Sequence, residues 1–394
     1  LNEKPAEIIY LQTIIMEEAT GAILQLLARG KQNTYLDGQD TSLFKTSHKR
    51  STPFALEHRE EFFPRGFRFG QVCRVDIPKR CDSMGEMLLQ ITLPKLNDDP
   101  QTQVKWSPNI VYTLVRRVQV YMAGLLVVDH ERLWNFVSDA LYTPKHRRYY
   151  TRPVDRPVNR EHQILIPLQM PWNTTRFFPM VATDVPIWME VEVESLAACV
   201  VGSPITATAQ PPYAALLVQH VFMEKVERYT FLFKPLAFPI VWVADTETVF
   251  TSAAKQIKVD LSEINYPVKT LVWVVYRVGD STFDFIKDVI VDDALCLESQ
   301  NLTNENPSTL SSFAGRWRRS TDSSRDDGIH VLHLGAPPGD ALVSGAPDFS
   351  KAKRPFLLLR LRQQALQEGV QYVCKVFAQC SRSIRIQYGQ VGLF

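Results

Sequence analysis

Strict two-residue alternation is the feature of this sequence that most limits what it can fold into. Ile187, Met189, Val191 and Val193 alternate with Trp188, Glu190, Glu192 and Glu194. A period of two puts every apolar side chain on one face of a β-strand and the carboxylates on the other. Residues 86–93 (EMLLQITL) and 114–122 (LVRRVQVYM) read the same way. Residues 270–278 (TLVWVVYRV) are apolar on both faces, which predicts a strand held between two layers. Residues 218–226, 285–291, 372–378 and 384–388 extend the pattern, and 329–334 adds a short strand. Pro78, Pro94, Pro167, Pro186 and Pro267 sit at the edges of such runs, where a missing N–H costs least. The chain reads as all-β, of sandwich type.

One helical pattern stands apart. Across residues 6–29, Ile8, Leu11, Ile15, Ala19, Ala22 and Leu26 recur at three- and four-residue steps, with Gly21 weakening the middle. Residues 202–212 (GSPITATAQPP) offer turn formers and little core, and predict a seam between two halves of similar size. A faint echo of one six-residue pattern, at 115–120 and again at 286–291, points to duplication. Two polar stretches, 142–163 and 299–355, read as long loops at exposed ends of the domains.

Composition narrows the function. The chain has 394 residues, and its 44 Lys+Arg against 42 Asp+Glu leave a net charge of +2. A dedicated nucleic-acid binder carries a surplus of phosphate-neutralising charge, so direct genome binding is not expected. No run approaches the ~20 apolar residues that span a bilayer; residues 235–244 come nearest and are cut by Pro239. The first residues show no basic segment followed by an apolar one, so no secretory signal is read. Six cysteines (Cys73, Cys81, Cys199, Cys296, Cys374 and Cys380) form no CxxC pair. They predict free thiols in a reducing, cytoplasmic environment, where Asn173 and Asn301, although in glycosylation sequons, stay unmodified.

No motif carries enzyme chemistry. The nucleophile elbow, the dinucleotide fingerprint and the P-loop are all missing. His130-Glu131 begins like a zinc-protease helix, but Trp134 stands where the second histidine belongs. His330 and His333 fall on opposite faces of a strand, and the charged run 57–61 (EHREE) reads as a solvated turn. No catalytic, cofactor-binding or metal-ligating residue is assigned, and no cofactor is expected. Two basic, aromatic-bearing clusters lie in the long loops, making Arg147, Tyr149, Arg316, Trp317 and Arg318 candidates for exposed partner contacts.

Five segments carry a family resemblance. Residues 21–38 (GAILQLLARGKQNTYLDG) resemble an opening usually written G-x-L-Q-L-x-A-x-G-x-Q-D-x-Y-L-T-G. Residues 42–55 (SLFKTSHKRSTPFA) are similar to F-F-K-x-x-Y-R-R-H-T-N-F-A, the most specific match. Residues 84–94 followed by 117–134 resemble a pair of strands leading into a helix start. Residues 166–173 (IPLQMPWN) with 178–192 resemble a run L-P-F-W-F-N…L-P-L…V-x-I, and 384–394 (IRIQYGQVGLF) a closing L-R-I-x-x-G-x-x-G-L-x-F. The family is that of the double jelly-roll major capsid proteins of nucleocytoplasmic large DNA viruses.

The resemblance implies two tandem eight-stranded antiparallel jelly rolls, with no active site. Three copies would form a homotrimeric, pseudo-hexagonal capsomer that tiles an icosahedral capsid. The division expected is an N-terminal arm at 1–20, a first jelly roll at 21–205 and a second at 206–394. The implied partners are other copies of the chain, neighbouring capsomers, minor capsid proteins and an inner membrane, in a virion assembled in the host cytoplasm. The arm would use Ile8, Leu11 and Ile15 to grip a neighbour at the inner base. Asn33, Lys49 and Pro53 depart from the family pattern. A dominant shell protein, a minor capsomer and a scaffold paralogue therefore all fit. From other classes, a carbohydrate-binding β-sandwich would use Trp317, and a glycoside hydrolase would need a carboxylate pair that no spacing singles out.

Overall fold

The computed structural model describes residues 52–96, 104–142, 161–172, 177–202, 212–279, 283–297, 300–301, 328–335 and 345–394. The arm candidates Ile8, Leu11 and Ile15, the loop candidates Arg147, Tyr149, Arg316, Trp317 and Arg318, and Asn173 lie outside the described residues.

The first half runs β1 (Phe54–Phe62), β2 (Val72–Ile77), β3 (Ser83–Leu93), β4 (Lys105–Trp106), α1 (Ile110–Leu114), β5 (Val115–Met122), β6 (Leu125–Glu131) and α2 (Arg132–Tyr142). It continues with β7 (His162–Leu168), β8 (Ile187–Val193), α3 (Leu196–Cys199), β9 (Val200–Val201) and β10 (Tyr213–Met223). Helix α4 (Lys225–Phe233) leads into β11 (Leu236–Thr251), β12 (Gln256–Asp260), β13 (Val268–Arg277), β14 (Ile290–Leu297) and β15 (Gln300–Asn301). The chain closes with β16 (Ile329–His333), β17 (Phe356–Leu361), β18 (Gln371–Gln387) and β19 (Gln390–Leu393).

Sheet order shows the duplication directly. In the first half the sheets are β1-β10-β3-β7 and β2-β8-β5-β6; in the second they are β11-β18-β13-β16 and β12-β17-β14-β15. Taken in chain order, each position in one half has its counterpart in the other. The first strand lies beside the last, and successive strands of each roll alternate between its two sheets except at the β5-β6 and β14-β15 hairpins, which is jelly-roll order. The fold is a double jelly roll.

Several expectations need correction. Strand β10 pairs with β1 along its whole length and with β3 on its other side, so the first roll extends to Met223. A division at 205/206 would hand that strand to the wrong roll. The turn-rich stretch 202–212 is the connection into the last strand of the first roll, because a jelly roll's last strand returns between its first and third. Residues 224–226 turn into α4 instead of continuing the strand. Residues 285–289 precede β14, which starts at Ile290, so the six-residue echo matches β5 with a turn. Yet β5 and β14 do hold the same place in the sheet order. Within 299–355 the short strand expected at 329–334 is β16, while the buried Phe349 departs from the loop reading. Residues 372–378 and 384–388 belong to a single 17-residue strand.

Burial explains the run that is apolar on both faces. In β13, Leu271, Trp273 and Val275 face the second roll's own core, whereas Val272 and Val274 join the cluster built mainly by the first roll. In β18, Tyr372, Cys374, Val376 and Ala378 face inward and Phe377 faces the first roll. This sheet is therefore covered on both sides. Pro239 is accommodated in β11 because that strand is the sheet's edge. Two tight hairpins turn through two residues with positive φ, Ala123-Gly124 and Tyr388-Gly389, as type I′ turns require. At Gly389 a Cβ would also lie 2.7 Å from an Asp184 carboxylate oxygen.

All six cysteines are buried free thiols. Burial pushes Cys81, Cys199, Cys374 and Cys380 up to about 12, which removes the reactive thiolate near neutral pH. Alkylation should therefore be slow in the native protein and reach six thiols after denaturation without reductant; a denatured count of two or four would contradict the free-thiol reading. Loop tolerance offers a second check. Replacing residues 305–324 with a short Gly/Ser linker should shift stability by less than about 1 kcal/mol, since closure entropy changes slowly with length. Deleting 329–333 should abolish cooperative thermal unfolding, because Ile329 and Val331 are core residues.

Candidate functional site

The two rolls meet through α2. Its sequence RLWNFVSDALY buries Leu133, Trp134, Val137 and Leu141. His130 and Glu131 close β6, and the helix starts one residue later, at Arg132. The Trp134 ring lies 5.3 Å from Phe377 of β18. Phe136 packs at 5.2 Å on Tyr112, 5.1 Å on Phe283 and 5.6 Å on Phe285. Tyr142 Oη donates to Gln379 Oε1 at 2.7 Å. Each large apolar side chain buried here contributes roughly 1.5–3 kcal/mol. Beneath Trp134, burial pushes His130 down to about 4, so the imidazole is neutral at physiological pH.

A polar hub sits beside this aromatic seam. The Lys375 ammonium of β18 lies 2.5 Å from Asp245, 3.3 Å from Glu131 and 3.4 Å from Glu247. Asp245 and Glu247 come from β11 and Glu131 from the first roll's β6, so one cation ties both rolls together. Burial works against the charge on Lys375. The hydrogen bond to Asp245 and the pull of the three carboxylates outweigh it and hold the pKa above the usual lysine range. Burial raises the Glu131 carboxyl, with Lys375 pulling it back down.

The seam opens into a cleft of about 450 Å³ whose lining includes Arg116, Arg117, Arg132, Glu131, Trp242 and Asp245. Its arginines are matched: Arg116 with Glu192 at 3.0 Å, Arg117 with Asp129 at 2.6 Å and Arg132 with Glu194 at 3.4 Å. The alternating carboxylates 190, 192 and 194 therefore belong to a charge-compensated wall, where Glu190 also accepts from Trp188 Nε1 at 3.0 Å. Such a surface suits packing more than catalysis.

The remaining sequence candidates are dispersed. His330 stacks on Trp273, with ring centres 5.8 Å apart, while His333 Nδ1 lies 3.1 Å from Thr270 Oγ1. Among the described residues, no group of three His, Cys, Asp or Glu is placed to hold a metal ion. The run 57–61 is strand β1 and not a turn. Glu57, Arg59 and Glu61 occupy its covered side, where Arg59 pairs with Glu57 at 3.0 Å and Arg80 with Glu61 at 3.6 Å. Sequence reasoning missed the Lys375 hub. The available signal was a lone lysine inside the apolar run YVCKVFA.

The model of the major capsid protein N-terminus matches residues 42–230, the segment that carries the first roll through β10 and most of α4. The major capsid protein of Paramecium bursaria Chlorella virus 1 is 26% identical over 267 residues, covering 64% of this chain and 60% of that protein. Capsid protein 1 of Acanthamoeba polyphaga mimivirus is 24% identical, covering 64% of this chain and 48% of that protein. Among solved structures, the VP54 chain of the same Chlorella virus, fitted into a reconstruction of the virophage Sputnik, superposes with a TM-score of 0.76. It is 18% identical and covers 89% of this chain and 99% of that one. The chain is similar in sequence to these viral capsid proteins and shares the double jelly-roll fold. It spans about half to three-fifths of the length of those two curated relatives. Among the described residues, the seam brings together Trp134, Phe136, Phe377 and the Lys375 hub.

The hub predicts a pH-dependent variant. Lys375→Met leaves three carboxylates facing one another and should destabilise the protein by about 2 kcal/mol at pH 7, less than a fully buried pair because the acids are half-exposed. Native Lys375 stays charged across pH 5–8, since its folded pKa is raised and its contribution is lost only as pH climbs through that value. Protonation of Glu131, whose carboxyl is already raised, relieves the repulsion in the variant as pH falls. The deficit in denaturant midpoint should shrink between pH 7 and pH 5; a constant or growing deficit would contradict the hub.

Proposed function

We propose that this protein is a structural subunit of an icosahedral virion shell, with a homotrimeric, pseudo-hexagonal capsomer as its working unit and no catalytic role. One observation carries the reading. The outer face of the second roll's β11-β18-β13-β16 sheet is covered by the first roll, but the corresponding face of the first roll is open among the described residues, with apolar side chains interspersed with His58, Glu60, Gln90 and Gln219. There Leu56, Phe62 and Tyr213 are exposed, and Leu88, Leu165 and Leu217 are half-buried. The equivalent surface of a second copy's second roll has no room on this face within one chain, so the contact is heterologous. Heterologous contacts close into rings when the rotation permits. Three copies supply six rolls, and six similar seams complete the ring.

Capsid-protein names among the relatives support a place in the capsid. The matched charges of the cleft fit side walls that pack against other proteins. The connections after α2 and after β15 leave corresponding ends of their rolls, by the antiparallel order of the strands. We place these ends outward, with Arg147, Tyr149, Arg316, Trp317 and Arg318 available to host or accessory proteins. The opposite ends, where α4 lies, face the particle interior and its minor capsid proteins or membrane. Buried thiols suit assembly in the reducing host cytoplasm.

Obligate interfaces commonly bury more than ~2,000 Å². Mass photometry of the purified protein should therefore show a species of three times 45.0 kDa, and negative-stain images should show hexagonal outlines. Leu56→Glu with Phe62→Glu should reduce it to monomers. A stable wild-type monomer at micromolar concentration would contradict the capsomer reading.

A further inference from the structure

Strand β1 is held on the first roll from one side only. It is the edge of the sheet β1-β10-β3-β7 and pairs with β10 along its whole length. Its inward positions are Ala55, Glu57, Arg59 and Glu61, so no large apolar side chain anchors it there. Elements with few buried apolar contacts are the first to open. Its outward positions include Leu56 and Phe62, 45% and 55% exposed.

Across from Glu57, on β10, lies His220. It stands in the inward row of Ala214, Leu216, Val218 and Phe222, all core residues, and is itself 1% exposed. Its Nδ1 has no hydrogen-bond partner among the described residues. The charged groups around it come from β1 and from the connection into β3. Strand β1 supplies Glu57, Arg59 and Glu61, with His58 on its other side, and the connection supplies Arg80 and Asp82 next to the neutral Cys81 thiol. Strand β3 presents only Ser83 and Met84 at this level. Each carboxylate is already engaged: Glu57 by Arg59 at 3.0 Å, Glu61 by Arg80 at 3.6 Å and Asp82 by Arg228 of α4 at 3.1 Å. A proton on the imidazole would therefore add a buried cation to ion pairs that are already matched.

Burial opposes that charge most, and Arg59 next. Arg80 and His58 add to the opposition while Glu57 pulls the other way, and the imidazole is pushed down to about 4 from the ordinary 6.5. With β1 lifted, water reaches His220 and the ordinary value returns. The open form then binds the proton more tightly than the closed one. Closure is fully favoured above pH 6.5 and loses ground as pH falls from there to about 4. Between pH 7 and pH 5 the open fraction rises about twentyfold.

We propose that His220 is an acid latch: its neutral imidazole keeps β1 closed on β10, and its protonation releases β1 from the first roll. The consequence for assembly rests on the capsomer reading, because Leu56 and Phe62 belong to the face on which a second copy packs.

Hydrogen exchange across 54–62 in the full chain, expressed as protection relative to the intrinsic rate at each pH, reads the latch. In wild-type protein this protection should fall about twentyfold from pH 7 to pH 5, while β13 and β18 stay protected. His220→Gln should hold the fall below about threefold. His220→Leu, which continues the apolar row, should do the same and serves if the glutamine variant does not fold. His130→Gln, at the other buried imidazole, should leave the wild-type fall intact. Unchanged β1 protection in the wild type, an equal fall in the His220 variants, or loss of the effect in His130→Gln would overturn the proposal. Mass photometry at pH 5 reads the consequence for assembly: wild-type trimers should dissociate and His220→Gln trimers persist. Protein that is monomeric at pH 7 contradicts the capsomer reading alone, since β1 exchange decides the latch in either case.

Discussion

The structure depends on one sheet that is buried on both sides. In β11-β18-β13-β16, alternate residues of each central strand serve two different cores. Trp273, Cys374 and Val376 face the second roll's own interior, and Val272, Val274 and Phe377 face the first roll. A sheet covered on one side only would leave that second row in water, at a cost of roughly 1.5–3 kcal/mol for each large apolar side chain. The two rolls are thus not independent sandwiches on a linker. The α2 wedge and the Lys375 hub exist where they do because this sheet has a second face to cover.

The hub also shows how a charge is kept inside such a seam. Lys375 is nearly enclosed, and the pull of Asp245, Glu131 and Glu247 outweighs the burial that disfavours its charge. Two of those acids lie on the neighbouring strand and one comes from the other roll. Aromatic contacts supply the area of the seam, and the hub supplies its registry, since sliding one roll against the other would strand a buried ammonium.

How much of this was legible in the sequence varied with physical cause. Strand β8 follows its alternation from Ile187 to Val193 because one face is core and the other is a wall of paired charges. The two-sided run 270–278 correctly announced a layer on each side. Motifs across residues 21–55 and 384–394 pointed to the family and its fold. Alternation failed where twist and seam interrupt it. Strand β18 looked like two because Ser381, Arg382 and Ser383 break the apolar pattern, although its pairing with β11 runs unbroken. The first roll's end was misplaced because its last strand is a non-local partner of its first, and no local signal encodes that return. Charges on β1 read as a turn because adjacent acids and bases suggest water, while in the fold they pair along a covered edge.

Native-state hydrogen exchange, followed by mass spectrometry, tests the two-sided sheet most directly. Amides of β13 and β18 should be among the slowest to exchange, slower than those of β12 and β17 in the sheet that faces only one core. Trp134→Ala in the first roll should speed exchange in β13 and β18 well before it affects β12 and β17. Equal protection of both sheets, with no response of β18 to the loss of Trp134, would contradict the account.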